Sequence, residues 1–202
     1  MPSLEALSRY YGSHDTFSQS ELSILEEVLP TYFPDQSMHP AIQALSYGET
    51  PLPVAADLLD WAGLKPEESF LDLGCGCGAL VLLAATRARR AAGVDLSRAA
   101  IRFAQQASTA LDIANAQFYE QDLLRIELEP FDVLYCCATA VSEWLAEQLS
   151  GHLTGCRPGA RFITVTHPLR SERIQSIEQR SLSLSWHRDR NVRVWDFYLH
   201  QL

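Results

Sequence analysis

The sequence predicts an α/β fold with a doubly wound, mostly parallel seven-stranded sheet, a C-terminal antiparallel hairpin and an N-terminal helical cap. Short apolar runs alternate with amphipathic segments between residues 69 and 166, which is typical of strands and helices in a parallel sheet. The last two apolar runs alternate with period two, as in a terminal hairpin. Alternate glycines after the first run indicate a strand-to-helix turn.

The N-terminal cap is predicted over residues 1–45. Leu4, Leu7 and Tyr11 recur at helical spacing, and prolines end the later apolar segments. Residues 46–202 are predicted to form the main domain, which begins with an amphipathic helix over residues 50–64.

The main domain is predicted to contain five strands, the helices between them and the hairpin. The order in which these elements alternate implies helices on both faces of the sheet. The strands are expected at 69–73, 91–95, 116–120, 131–136 and 161–166, the helices from 79, 98 and 142, and the hairpin arms at 181–186 and 192–200.

The turn after the first strand is the most informative segment of the chain. Asp72 ends the strand, and Gly74, Cys75, Gly76 and Gly78 follow within six residues. Glycine permits positive φ and close approach of the backbone to a ligand, so N–H groups at the start of the next helix can face a polar cofactor. The segment is therefore predicted to be a cofactor-binding loop.

Two cofactor classes fit this spacing. Gly74, Gly76 and Ala79 satisfy the dinucleotide fingerprint, and Asp95 follows at the distance of a ribose-binding acid. A carboxylate at the position of Asp72 would repel a pyrophosphate by about 1 kcal/mol or more at a few ångströms. It would instead attract the α-ammonium group of a methionine moiety, which favours S-adenosylmethionine.

Two further strands also end in acidic residues. Asp95, followed by Leu96, is expected to accept both ribose hydroxyls. Asp122 is expected to accept from the adenine amino group while Leu123 packs on the ring. Because the carboxyl ends of parallel strands share one edge of the sheet, these residues are expected to lie near the glycine loop.

Composition restricts the partners and the compartment. The net charge of -9, without clustered lysine and arginine, leads us to expect no nucleic-acid partner. The sequence has no apolar run of the roughly 20 residues needed for a membrane span and no signal-peptide pattern, so we expect a cytoplasmic protein without a membrane partner. We expect it to be a monomer or a homodimer. The five cysteines show neither a disulfide framework nor metal-ligand spacing, so no metal is expected.

These motifs resemble the class I S-adenosylmethionine-dependent methyltransferases over residues 51–166, which makes residues 46–202 the expected methyltransferase domain. Two end motifs are similar to the disruptor-of-telomeric-silencing family of non-SET lysine methyltransferases: Ser46-Tyr47-Gly48-Glu49-Thr50, and Ser185-Trp186 followed by Phe197-Tyr198-Leu199-His200. This resemblance implies that Tyr47, Glu49 and Thr50 fold over the methionine end of the cofactor.

The resemblance also indicates where the acceptor would enter. In the family an asparagine after the fourth strand lies near the transferring methyl; here Thr139 is the nearest replacement, and Cys137 is assigned to the cofactor site. Tyr135 and Phe197 are expected as walls of the methyl-accepting channel, together with Trp195 and Val141, although core packing would explain these residues equally well.

Three functions follow from the sequence. The first is methylation of a lysine on a non-histone protein, as the resemblance implies. The second is methylation of a small molecule, because a channel without polar groups under a helical cap suits an enclosed pocket. The third is a protein that binds S-adenosylmethionine without turnover.

Overall fold

The computed structural model describes residues 1–16, 26, 28, 48–137, 143–184 and 193–202. Within these residues a single seven-stranded sheet has the order β3-β2-β1-β4-β5-β7-β6. The first five strands pair in parallel, and β7 runs antiparallel to both β5 and β6. The strands are β1 Ser69–Leu73, β2 Arg90–Asp95, β3 Ala116–Glu120, β4 Val133–Cys136, β5 Arg161–Val165, β6 Gln175–Leu184 and β7 Arg193–Gln201.

Helices cover both faces of the sheet. One core joins the sheet to α1, α2, α3 and α4, and a second core joins the opposite face to α5. The helices are α1 Leu4–Gly12, α2 Leu52–Trp61, α3 Ala79–Ala85, α4 Arg98–Ala110 and α5 Glu143–Leu153. The predicted fold class is therefore confirmed, including the terminal hairpin. Across the described ranges, no helix has the length and apolar character needed to cross a membrane.

The boundaries of several elements differ from those predicted. β4 begins at Val133 because Asp132 turns its carboxylate onto the N–H and hydroxyl groups of Ser69 at the start of β1. β6 begins at Gln175, six residues earlier than predicted. The prediction missed these first residues because they are exposed and carry no alternating pattern. The first helix of the main domain begins at Leu52, with Pro51 as its N-cap, and ends at Trp61.

Contacts at the two ends of α2 link this helix to β6 and place the preceding residue Thr50 beside β4. The indole N–H of Trp61 donates to Glu178 on β6 at 2.9 Å, and the Arg180 guanidinium lies 4.7 Å from the centre of the Trp61 ring. At the other end of this helix, Thr50 lies beside the end of β4. The part of the predicted N-terminal cap beyond residue 16 falls almost entirely outside the described residues.

Candidate active site

The crevice at the carboxyl edge of the sheet lies between β1 and β4. The chain continues from β1 outward to β2 and from β4 outward to β5, so the loops that follow these two strands diverge. Asp72 is in register with Gly93 on one side and Tyr135 on the other, which places all three at one level. This divergence is the usual position of a ligand in an open α/β sheet.

The glycine loop is held to the end of β2 by backbone hydrogen bonds. The N–H groups of Gly74 and Cys75 both donate to the Val94 carbonyl, at 2.8 and 3.0 Å. Gly74, Gly76 and Gly78 have φ angles of +88°, +49° and +80°, which only glycine adopts without strain. The loop conformation thus follows directly from the alternate glycines.

Close packing also requires glycine at residue 78 of the loop and at residue 93 of β2. A Cβ atom on Gly78 would lie 2.6 Å from the Phe118 ring and 2.7 Å from the Cβ of Ala104. A Cβ atom on Gly93 would lie 2.6 Å from the sulfur of Cys75. α3 can therefore approach β3 and α4 only because residue 78 lacks a side chain.

Asp72 is the most distinctive ionisable group of the crevice. Its side chain is 4% exposed, and its Oδ1 atom has no hydrogen-bond partner among the residues that the structure describes. Burial, and then the nearby Asp95 carboxylate, raise the pKa of Asp72 well above its usual value. A buried acceptor without a donor costs free energy, and an ammonium group would satisfy it. This orphaned oxygen therefore fits the α-ammonium end of S-adenosylmethionine.

Asp95 organises the glycine loop. Its Oδ2 atom accepts from the Gly76 N–H and its Oδ1 atom from the Ser97 N–H, both at 2.8 Å. Burial raises the pKa of Asp95 and outweighs these backbone bonds, which act in the opposite direction. A carboxylate has about four lone-pair positions, so it can accept further bonds. Its expected contact with ribose, next to half-buried Leu96, stays a prediction.

The acid after β3 lies in a turn. Asp122 Oδ1 accepts from the Leu124 N–H at 2.9 Å, and its other oxygen lies 3.8 Å from the Arg125 guanidinium. Leu123 is half-buried and packs against the core beneath α5. The expected contacts of Asp122 and Leu123 with adenine stay predictions.

A cluster of hydroxyl and thiol groups closes the crevice opposite the glycine loop. Thr50 Oγ1 and the Tyr135 hydroxyl share a hydrogen bond of 2.6 Å. Burial, followed by the neighbouring Cys137 thiol, raises the pKa of Tyr135 well above its usual value, so its hydroxyl stays protonated. Thr50, Tyr135 and Cys137 thus lie together beside Asp72, and the Tyr135 hydroxyl is uncharged.

Other predicted site residues lie elsewhere or cannot be placed. Phe197 is 0% exposed and pairs with Val165 and Arg180 inside the sheet, so its surroundings are those of a core residue. Glu49 is half-buried just before Thr50. Tyr47 and Thr139 fall outside the described residues, as do Val141, Ser185 and Trp186.

Sequence reasoning missed one polar contact at the glycine loop. The hydroxyl of Tyr11, on α1, donates to the Cys77 carbonyl at 2.8 Å. Helical spacing identifies Tyr11 only as a residue of the buried face, and nothing in the sequence pairs it with residue 77.

The cysteines of the crevice are thiols. All five cysteines of the chain are free. Within the described part of the chain, no group of three or more histidine, cysteine and acidic residues could hold a metal ion.

Comparison with known proteins identifies relatives of this chain. A family described as a methyltransferase domain matches residues 64–196. The chain is 35% identical over 72 residues to the 23S rRNA (uracil(1939)-C(5))-methyltransferase of Alcanivorax borkumensis. That match spans 36% of this chain and 16% of the relative.

Solved structures share the fold. An RNA methyltransferase from Salinibacter ruber in complex with S-adenosyl-L-homocysteine has a TM-score of 0.60 and 19% identity, over 75% of this chain and 91% of that one. Magnesium protoporphyrin IX methyltransferase from Synechocystis PCC 6803, with S-adenosylmethionine bound, has a TM-score of 0.61 and 15% identity, over 93% and 97% of the two chains.

The expectation that nucleic acid is excluded as a partner was wrong. The curated relative from Alcanivorax borkumensis is an rRNA methyltransferase, which contradicts that expectation. The physical reason is that net charge reports the average field of the whole surface, whereas recognition of an acceptor depends on local contacts. The resemblance to the disruptor-of-telomeric-silencing family receives no support from these comparisons.

Proposed function

This chain belongs to the methyltransferase-domain family as an S-adenosylmethionine-dependent enzyme of class I, and we propose that it methylates RNA. The buried Asp72 carboxylate, whose Oδ1 atom has no hydrogen-bond partner among the described residues, carries the cofactor assignment. The relative that methylates rRNA supports the choice of acceptor, although the matched segment is 16% of that protein.

The chain's own residues would mainly position the reactants. Asp72 would hold the α-ammonium group, and the main chain of the glycine loop would lie against the methionine moiety of the cofactor. When bound, S-adenosylmethionine supplies a methyl group on a sulfonium, which a neutral nucleophile accepts by in-line displacement. Such a displacement gains most of its rate from alignment.

The hydroxyl cluster would orient the acceptor. Thr50 and Tyr135 are held to each other at 2.6 Å, so their oxygen atoms have fixed positions at the wall of the crevice. Because Tyr135 keeps its proton, the pair can offer a hydrogen bond without adding a negative charge. Uncharged polar groups of this kind suit the edge of a nucleobase, which carries neutral donors and acceptors.

Acceptor fractions from host cells provide the test. The purified chain is incubated with methyl-labelled S-adenosylmethionine and, separately, with total RNA, with protein and with small molecules. We expect ribonuclease-sensitive label in the RNA fraction, and clearly less label with an Asp72→Asn variant when S-adenosylmethionine is kept below its Kd. Label confined to the protein fraction would contradict the RNA proposal and support the lysine acceptor that the sequence resemblance implies.

The same assay decides between the remaining alternatives. Label confined to the small-molecule fraction would identify a small-molecule methyltransferase. Cofactor binding without transfer to any fraction would contradict enzymatic activity and indicate a binding protein. The cytoplasmic location stays part of the proposal, and fractionation of host cells with an antibody to the chain would test it.

A further inference from the structure

The N-terminal helix contacts the glycine loop through one buried side chain. Leu7 and Tyr11 form the buried face of α1, with exposed fractions of 0% and 8%. The hydroxyl of Tyr11 donates to the backbone carbonyl of Cys77, 66 residues away in the sequence, at 2.8 Å. α1 is therefore anchored to the loop by a specific polar contact as well as by apolar packing.

The accepting carbonyl lies at the least regular part of the loop. Cys77 stands between Gly76 and Gly78, which have φ angles of +49° and +80°. Gly78 is the N-cap of α3, and its N–H closes a tight turn onto the Cys75 carbonyl at 2.9 Å. The two flanking glycines are conformationally permissive, so an external contact can determine the position of the Cys77 peptide between them.

The glycine loop connects Cys77 to Asp95, a predicted cofactor-binding residue. Gly76, adjacent to Cys77, donates its N–H to the Asp95 carboxylate at 2.8 Å. A shift of the Cys77 peptide would therefore move Gly76 and lengthen the bond to Asp95. Tyr11 and Asp95 therefore hold adjacent residues of the loop.

Tyr11 also lies near the segment that carries Thr50. Burial is the main cause that raises the pKa of Tyr11, and the charge of Glu49 acts in the same direction. The hydroxyl consequently remains protonated near neutral pH and can donate. Glu49 immediately precedes Thr50, which bonds Tyr135.

We propose that Tyr11 is a positioning residue that couples docking of α1 to cofactor binding. This inference rests on the proposed cofactor site and adds the N-terminal helix to it. Since coupling between two events is reciprocal, docking of α1 raises the affinity for the cofactor, and the cofactor stabilises docked α1 by the same factor.

Single-hydroxyl variants test the inference. Tyr11→Phe keeps the ring and removes only the donor, and Tyr10→Phe on the same helix is the matched control, because the Tyr10 ring keeps its contact with Phe103. Calorimetric titration with S-adenosylhomocysteine is expected to show a Kd about 3- to 10-fold higher for Tyr11→Phe, the scale of one lost hydrogen bond. Tyr10→Phe is expected to bind like the unaltered chain.

Two readouts separate positioning from a purely structural role. In the labelled-methyl assay, Tyr11→Phe should raise KM for S-adenosylmethionine and leave kcat nearly unchanged. Hydrogen exchange on the unaltered chain should slow in residues 4–12 when S-adenosylhomocysteine is added, a measurement that does not depend on how the variant folds.

The outcomes distinguish this inference from the proposed function. Two results would overturn the coupling and leave the methyltransferase assignment intact. One is a lower Tm of Tyr11→Phe with unchanged Kd. The other is hydrogen exchange in residues 4–12 that does not change when S-adenosylhomocysteine is added. Failure of the unaltered chain to bind S-adenosylhomocysteine would overturn both.

Discussion

Replacing Asp72 by asparagine is expected to weaken cofactor binding and to stabilise the free protein. The substitution preserves the shape of the side chain and removes its charge. In the free chain that charge is buried, with one oxygen unsatisfied among the described residues. Because burial raises the pKa of Asp72 above the unfolded value of 3.8, ionisation near pH 7 lowers the free energy of unfolding.

The loss of affinity can be estimated from the bond that would form. A hydrogen bond between an ammonium group and a carboxylate contributes about 1.5 to 3 kcal/mol. The corresponding increase in Kd is about 10- to 150-fold. The amide oxygen of asparagine can still accept a weaker bond, so we expect a value near the lower limit.

Asp132 offers a matched control for this experiment. Its side chain is also 4% exposed, but its carboxylate accepts from Ser69 and forms an ion pair with Arg157 at the opposite edge of the sheet. Asp132→Asn should lower the free energy of unfolding and leave the Kd for S-adenosylhomocysteine unchanged.

Two measurements decide the outcome. Calorimetric titration gives the Kd, and urea denaturation of the free protein gives the free energy of unfolding. Unchanged affinity in Asp72→Asn, or a free chain that becomes less stable, would refute the assignment of Asp72 to the ammonium group.

Three further predictions concern activity, packing and pH. Tyr135→Phe should lower kcat about tenfold with the Kd for S-adenosylhomocysteine unchanged, because it leaves Thr50 without its buried partner. Gly78→Ala should lower the free energy of unfolding by about 2 to 4 kcal/mol, since positive φ adds strain to the clash with Phe118. Burial lowers the pKa of His200 to about 4, so stability should fall by about 2 kcal/mol between pH 7 and pH 5.

Controls accompany each of these three predictions. For Tyr135→Phe, a normal kcat in single-turnover assays would exclude the hydroxyl pair from acceptor positioning. Gly74→Ala has a similar φ, but no atom of the described residues lies within 4 Å of its added Cβ, so a loss equal to that of Gly78→Ala would show that the clash is unimportant.

The sign of the pH effect follows from the direction of the His200 shift. The unfolded chain takes up its proton as pH falls through about 6.5, whereas the folded chain resists protonation until about 4. Stability is therefore lost across that window. His14 is exposed and provides the control. An unchanged pH slope after His200→Gln, as for His14→Gln, would contradict the prediction.

The parts of the fold set by local chemistry could be predicted from the sequence. Alternate glycines after Asp72 dictate the turn, and the alternating apolar runs dictate the strands, with β1 and β3 reproduced residue for residue. The start of β6 could not be predicted, because the first residues of this edge strand are exposed and leave no periodic pattern. Pairing, not burial, defines that segment.

The site was less predictable, because its contacts join distant segments. The bond between Thr50 and Tyr135 spans 85 residues, and that between Tyr11 and Cys77 spans 66. Motif spacing identifies residues near a strand end and gives no information on such partners. The expectation that nucleic acid is not a partner was wrong for a related reason, since overall charge does not describe a local surface.

A crystal structure of the chain with S-adenosylhomocysteine would test the central claim most directly. We expect the α-amino nitrogen within hydrogen-bond distance of the Asp72 carboxylate, the methionine backbone along residues 74–78 and the ribose beside Asp95. A ligand bound elsewhere, or bound in this crevice with its amino group away from Asp72, would contradict the account.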